Sequence, residues 1–143
     1  LKINKLYSTT ITSDISNIGS VVKDVLSSVN GLCHSNEEAF MYDLKVILNE
    51  LILNAIKHGN KEDSSKSIKI SVALMETKYL LLQVEDEGGG YDYSCNNTVE
   101  IDCTDIDSLL ESGRGMTIVK CLCDKVKLNK KGNKILILKK LSF

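Results

Sequence analysis

The chain has 143 residues, 43% of them hydrophobic and 26% charged, the size and apolar fraction of one globular domain. A formal net charge of -1 supplies no whole-molecule field that would draw it to nucleic acid or to an anionic membrane, so neither is expected as a direct partner. The five cysteines, an odd number without C-x-x-C spacing, argue against a disulfide framework and a structural zinc site. They read as reduced thiols. No run approaches the roughly 20 apolar residues that cross a bilayer, and the start lacks the pattern of a signal peptide, so a soluble cytoplasmic protein is expected. The first residue is Leu1 rather than Met, which suggests a trimmed chain.

Taken in order, Lys2 to Ile11 holds β-favouring residues and predicts a first strand. Thr12, Ser13 and Asp14 are capable caps for a helix whose stripe is Ile15, Ile18, Val21, Val22, Val25, Leu26 and Val29, ended by Asn30-Gly31. A second helix opens near Glu37 and Glu38 and runs into D-L-K-V-I-L-N-E-L-I-L-N-A-I-K-H-G-N, residues 43 to 60. Leu44, Ile47, Leu48, Leu51, Ile52, Ala55 and Ile56 recur at helical spacing and face a core. Glu50, Asn54 and His58 form a separate polar row at i, i+4 and i+8. Gly59 suits the left-handed residue that ends a helix.

Such a polar row is ordinarily a solvated helix face, but a carboxylate one turn from an amide oxygen also suits a hard cation that arrives with a nucleotide. Beyond a polar loop, Ile68 to Leu74 alternates as a half-buried strand, and Tyr79 to Val84 reads as a central strand after a short turn. That strand runs into Glu85-Asp86-Glu87-Gly88-Gly89-Gly90, where glycines admit close backbone approach and Asp86 can accept from a donor on a base. A flexible turn is the plain alternative. The stretch 91 to 112 has no periodicity and is rich in Asn, Thr, Asp and Ser, which in a small domain predicts a functional or disordered loop.

Ser112-Gly113-Arg114-Gly115 then opens onto a helical stripe beginning at Met116 and Ile118. This is an arrangement that can offer unpaired amides to phosphate oxygens. Lys125 to Asn129 and Lys134 to Leu141 predict a final antiparallel hairpin, with the lysines at 125, 127, 130, 131, 134, 139 and 140 on its solvent face.

In this order the motifs resemble those of the GHKL ATPases: E-L-I-L-N-A-I-K-H-G is similar to their N box, D-E-G-G-G to a first glycine box and S-G-R-G-M-T-I-V-K to a second. Within that superfamily the chain resembles the anti-sigma factor serine kinases of the RsbW type over about Asp43 to Leu141. The resemblance implies one ATP-binding domain over 1 to 143 with the Bergerat fold. This is a two-layer α/β sandwich of a mixed, mostly antiparallel sheet with helices on one face, and with an ATP lid at about 91 to 112. It implies Glu50 as general base, Asn54 as the Mg2+ ligand, and Asp86 as acceptor from the adenine amino group. Gly88 and Gly90 would shape the base pocket, and Gly113, Arg114, Gly115, Met116 and Thr117 the phosphate site, with Lys57 and His58 as secondary candidates.

It further implies a homodimer that sequesters a sigma factor and phosphorylates a STAS-like anti-anti-sigma protein on serine. The competing expectation is an ATP-binding regulator that sequesters a partner without catalysis. Two departures stand out. The lid stretch has no proline, and Gly132-Asn133-Lys134 stands where many members carry Gly-Thr, so no nucleotide contact is transferred to that turn.

Overall fold

The computed structural model describes residues 1–32, 37–89 and 115–141. The expected lid, together with Gly90, Gly113 and Arg114, lies outside the described residues. Five strands, β1 (Ile3–Thr12), β2 (Ser67–Met75), β3 (Tyr79–Asp86), β4 (Lys125–Leu128) and β5 (Lys134–Lys140), form one sheet in the order β1-β2-β3-β5-β4. All four pairings are antiparallel. Among the described residues three helices, α1 (Ile18–Val29), α2 (Glu37–Asn54) and α3 (Gly115–Leu122), join the sheet in an α/β fold.

Alternation decides what lies between the two layers. Ile68, Ile70 and Val72 of β2, Leu80, Leu82 and Val84 of β3, and Ile135 and Ile137 of β5 are buried, and the in-between residues are not. Against them lie Ile18, Val21, Val22, Val25 and Val29 of α1 and Phe40, Leu44, Ile47, Leu48, Leu51 and Ile52 of α2, the stripes expected from helical spacing. Met116 and Val119 of α3 join the same core.

Local chemistry sets the element ends. Asp14 caps a single 3-10 turn, Ile15–Asn17, by accepting from Ser16 N at 2.9 Å, so the predicted first helix becomes that turn followed by α1. Gly31, at φ 85°, ends α1 as its position after Asn30 predicted. In the β4–β5 turn, Asn129 Oδ1 accepts from the amides of Gly132 at 2.8 Å and Asn133 at 3.1 Å.

Three expectations are corrected. First, α2 does not run as an α-helix to Gly59: after Asn54 the chain widens into a π turn, Ala55–Gly59, with Asn60 N donating to Ala55 O at 2.8 Å. The i, i+4 row therefore ends at Asn54. Gly59 is not the left-handed residue either, since positive φ falls on Lys61 (53°) and Glu62 (59°).

Second, Lys139 is not on the solvent face. It shares the inward parity of Ile135 and Ile137, and its Nζ donates to Leu122 O at 2.7 Å, lies 3.7 Å from Asp43 and sits 5.4 Å above the Phe40 ring. Third, of the cysteines read as reduced thiols, Cys123 is free but Cys121 is disulfide-bonded. Among the described residues no helix is long and apolar enough to cross a membrane.

Candidate functional site

The last turns of α2, the end of β3 and the start of α3 meet at one place, and glycines mark each contact. A methyl group on Gly115 would overlap the Glu50 carboxylate, so the first residue of α3 rests directly on that side chain. On Gly59 it would overlap the Asp86 carboxylate, and on Gly88 the carbonyl oxygen of Gly59. Gly59 is thus required by a neighbour 27 residues away rather than by its own torsions.

Asp86 is 7% exposed. Its Oδ1 accepts from Gly88 N at 2.8 Å, its backbone N donates to Asn133 O at 2.9 Å, and its backbone O accepts from Asn133 Nδ2 at 2.9 Å. Burial pushes its carboxyl above the usual range, chiefly offset by the Gly88 amide. Beside it is a hollow of about 10 Å³ walled by the apolar Leu51, Ala55, Val84 and Ile135 and by the polar Asn133 and Lys134, room for about one water. A carboxylate beside a partly apolar recess, with one oxygen engaged by the protein, is suited to accept from a planar ligand's amino group.

Glu50, half-buried, also has its carboxyl raised by burial, with the Lys57 charge acting the other way. One turn on, Asn54 Nδ2 is buried without a hydrogen-bond partner. No bond fixes that amide, so a half-turn about Cβ–Cγ brings Oδ1 to the same place. No group of three or more His, Cys, Asp or Glu suited to hold a metal occurs among the described residues. The donor set fits a hard cation that arrives on a phosphate chain and takes one or two protein oxygens.

Of the remaining candidates, Lys57 and His58 are exposed at the π turn. Met116 and Thr117 are each 5% exposed, so their side chains are packed inward and α3 has only the backbone amides of its first turn to offer a ligand. A larger cavity, about 560 Å³, lies between α1 and α2 against Val22, Leu26 and Met41, away from Glu50 and Asp86. Volume does not locate this site; the convergence of buried acids and forced glycines does.

The model of the histidine kinase-like ATPase domain matches residues 11–139. The chain belongs to that ATPase family. It is 33% identical over 86 residues to the anti-sigma F factor of Priestia megaterium, covering 60% of this chain and 58% of the relative. To the anti-sigma F factor of Clostridium perfringens (strain SM101 / Type A) it is 31% identical over 103 residues, 70% of this chain and 72% of the relative. To the serine-protein kinase RsbW of Bacillus subtilis (strain 168) it is 29% identical over 96 residues, 60% and 55%. The chain therefore spans less than two thirds of the first and third of these relatives.

For a histidine kinase-like ATPase the Glu50, Asn54 and Asp86 expectations fall in one neighbourhood, while Asn60, Asn133 and Lys139 received no site role from motif reading. The two asparagine side chains hold the peptide that links Asp86 to Glu87, and Lys139 braces the far end of α3. Their contacts span 17 to 47 residues, so local spacing carries no trace of them. Only for Lys139 was there a signal, its inward parity on β5.

Proposed function

We propose that this chain is an ATP-dependent serine protein kinase of the cytoplasm that doubles as an anti-sigma factor. In this reading it works as a homodimer, holds a sigma factor and phosphorylates a small STAS-like anti-anti-sigma protein. The supporting observation is the half-buried Glu50 carboxylate lying against Gly115 at the start of α3, one turn from the partnerless Asn54 amide. The names of the relatives support the same reading for the partners.

In this reading Asn54 and the amides that open α3 hold the phosphate chain and its cation, and Asp86 accepts from the adenine amino group. Magnesium, when bound, supplies the positive charge that offsets the developing negative charge of phosphoryl transfer. Glu50 accepts the proton of the substrate serine hydroxyl as that oxygen bonds to phosphorus, and ADP departs with the electrons of the broken bond. A raised carboxyl pKa suits this role, because a stronger base takes the proton more readily.

The test is single-turnover transfer from labelled ATP to a STAS-like acceptor, comparing the parent with Glu50→Gln. The variant is expected to keep ATP affinity and lose transfer by about 10²- to 10⁴-fold. Equal rates for the two proteins reject the assignment of Glu50. A parent that binds ATP but transfers nothing to any acceptor supports instead the regulator that sequesters without catalysis.

A further inference from the structure

We propose that Asn60 is a positioning residue for base selection, acting by locking the Asp86 peptide to the end of α2; the inference rests on the nucleotide reading above. Asn60 is 0% exposed, and motif reading assigns it nothing. Its Nδ2 donates to Ser67 O at 3.0 Å, and Ser67 N and Oγ donate to Glu87 Oε2. Glu87 N returns a hydrogen bond to Asn60 Oδ1 at 2.8 Å. Three residues from three separate segments thus form a closed ring in which each donates to the next, Ser67 twice.

The ring bears on Asp86 through one peptide group. The amide linking Asp86 to Glu87 is held at its N–H by Asn60 Oδ1, 2.8 Å away, and at its carbonyl by Asn133 Nδ2, 2.9 Å away. On the other side, Asn60 N closes the π turn onto Ala55 O at 2.8 Å, so the same residue fixes the end of the helix that carries Asn54. With Oδ1 of Asp86 engaged by Gly88 N, the other carboxylate oxygen is left to meet the ligand, and the ring decides where it sits.

Asparagine is the residue type that satisfies this place. Aspartate lacks the donor for Ser67 O, leucine lacks both groups, and glutamine is one methylene too long. An acceptor held in one position favours a purine with an amino group there over one with a keto oxygen, because the wrong partner leaves a buried acceptor unpaired. Once the peptide is free to tilt, that penalty relaxes.

Calorimetric titration with ADP and with GDP, on the parent, Asn60→Leu and Glu87→Ala, tests this. The parent is expected to prefer ADP, and Asn60→Leu to lose about tenfold of that preference, the scale of one net hydrogen bond. Affinity for inorganic triphosphate should be unchanged. Glu87 is exposed, so Glu87→Ala opens the ring without disturbing the core and is expected to move the preference the same way by less.

Ser67→Ala keeps the backbone donor and carbonyl and should retain the parental ratio. A folded Asn60→Leu with the parental ADP-to-GDP ratio overturns the proposal, as does an unchanged ratio in Glu87→Ala if Asn60→Leu fails to fold. A parent that binds neither nucleotide overturns the nucleotide reading and this proposal with it.

Discussion

The two ends of the site are built on opposite plans. At the Asp86 end hydrogen-bonding capacity is largely used: one carboxylate oxygen, the flanking peptide and both neighbouring asparagine amides are paired within the protein. At the Glu50 end the Nδ2 of Asn54 is buried and unmatched, and the carboxylate lies against the bare Cα side of Gly115. The first end is a preformed socket. On the proposed nucleotide reading the second is incomplete because its partners are charges that come with the ligand. Discrimination calls for a rigid acceptor, whereas phosphoryl transfer calls for groups whose bonding is satisfied only when substrate is present.

The sharpest way to break this contrast is Asp86→Asn. The amide oxygen can still take the Gly88 hydrogen bond, but the remaining position becomes a donor facing the amino group it should accept from. ATP affinity is expected to fall about 10- to 100-fold by calorimetry, the range for a hydrogen bond to a charged group. Stability should go the other way. Since the folded carboxyl sits above its unfolded value of 3.8, the folded state holds that proton more tightly, and stability from this group grows as pH falls through the folded value toward the unfolded one. Burial disfavours the ionised carboxylate, so above the folded value the variant should melt no lower than the parent and show a flatter pH dependence. A lower melting temperature with ATP affinity intact would reverse the roles given to this residue.

Asn54→Leu probes the other end with a smaller effect. Removing a buried amide that has no partner, in favour of an apolar group of similar shape, is expected to raise the stability of the ligand-free protein by about 1 kcal/mol. Over the same substitution, the gain in ADP affinity on adding magnesium should disappear, while affinity without magnesium stays near parental. Thermal melts and titrations with and without magnesium check both. Destabilisation instead would mean that Asn54 is satisfied within the protein, and the contrast between the two ends would be lost.

How much of this was legible beforehand follows the range of the interactions. Stripes such as Leu44, Ile47, Leu48, Leu51 and Ile52 announce their helix because burial repeats with the backbone period, and β2 and β3 announce themselves by alternation. The grouping of Glu50, Asn54 and Asp86 was legible only through family resemblance, since 32 residues separate the last two. The π turn has no compositional signature: Ala-Ile-Lys-His-Gly reads equally well as one more turn of α-helix. Gly59 looks like a helix stop and is a packing requirement. Lys139 looks like a surface charge because lysines surround it, although its place after Ile135 and Ile137 pointed inward. For Gly59 and Lys139 a contact across the fold overrode a sound local rule.

The smallest expected effect tests the electrostatics of the incomplete end. Burial is the larger influence on Glu50 and raises its carboxyl; the Lys57 charge lowers it. A general base works only when ionised, so transfer should fail as pH drops through the folded value for Glu50, above the ordinary 4.5. In Lys57→Met the offsetting charge is gone and the acidic limb of the kcat/KM profile should move to higher pH, with the alkaline plateau retained. Lys61→Met, on the exposed loop beyond the π turn, serves as the control and should leave the limb in place. A limb that moves to lower pH, or moves equally in both variants, would mean that the titrating group lies elsewhere. In that case Glu50 would contribute packing against Gly115 rather than proton transfer.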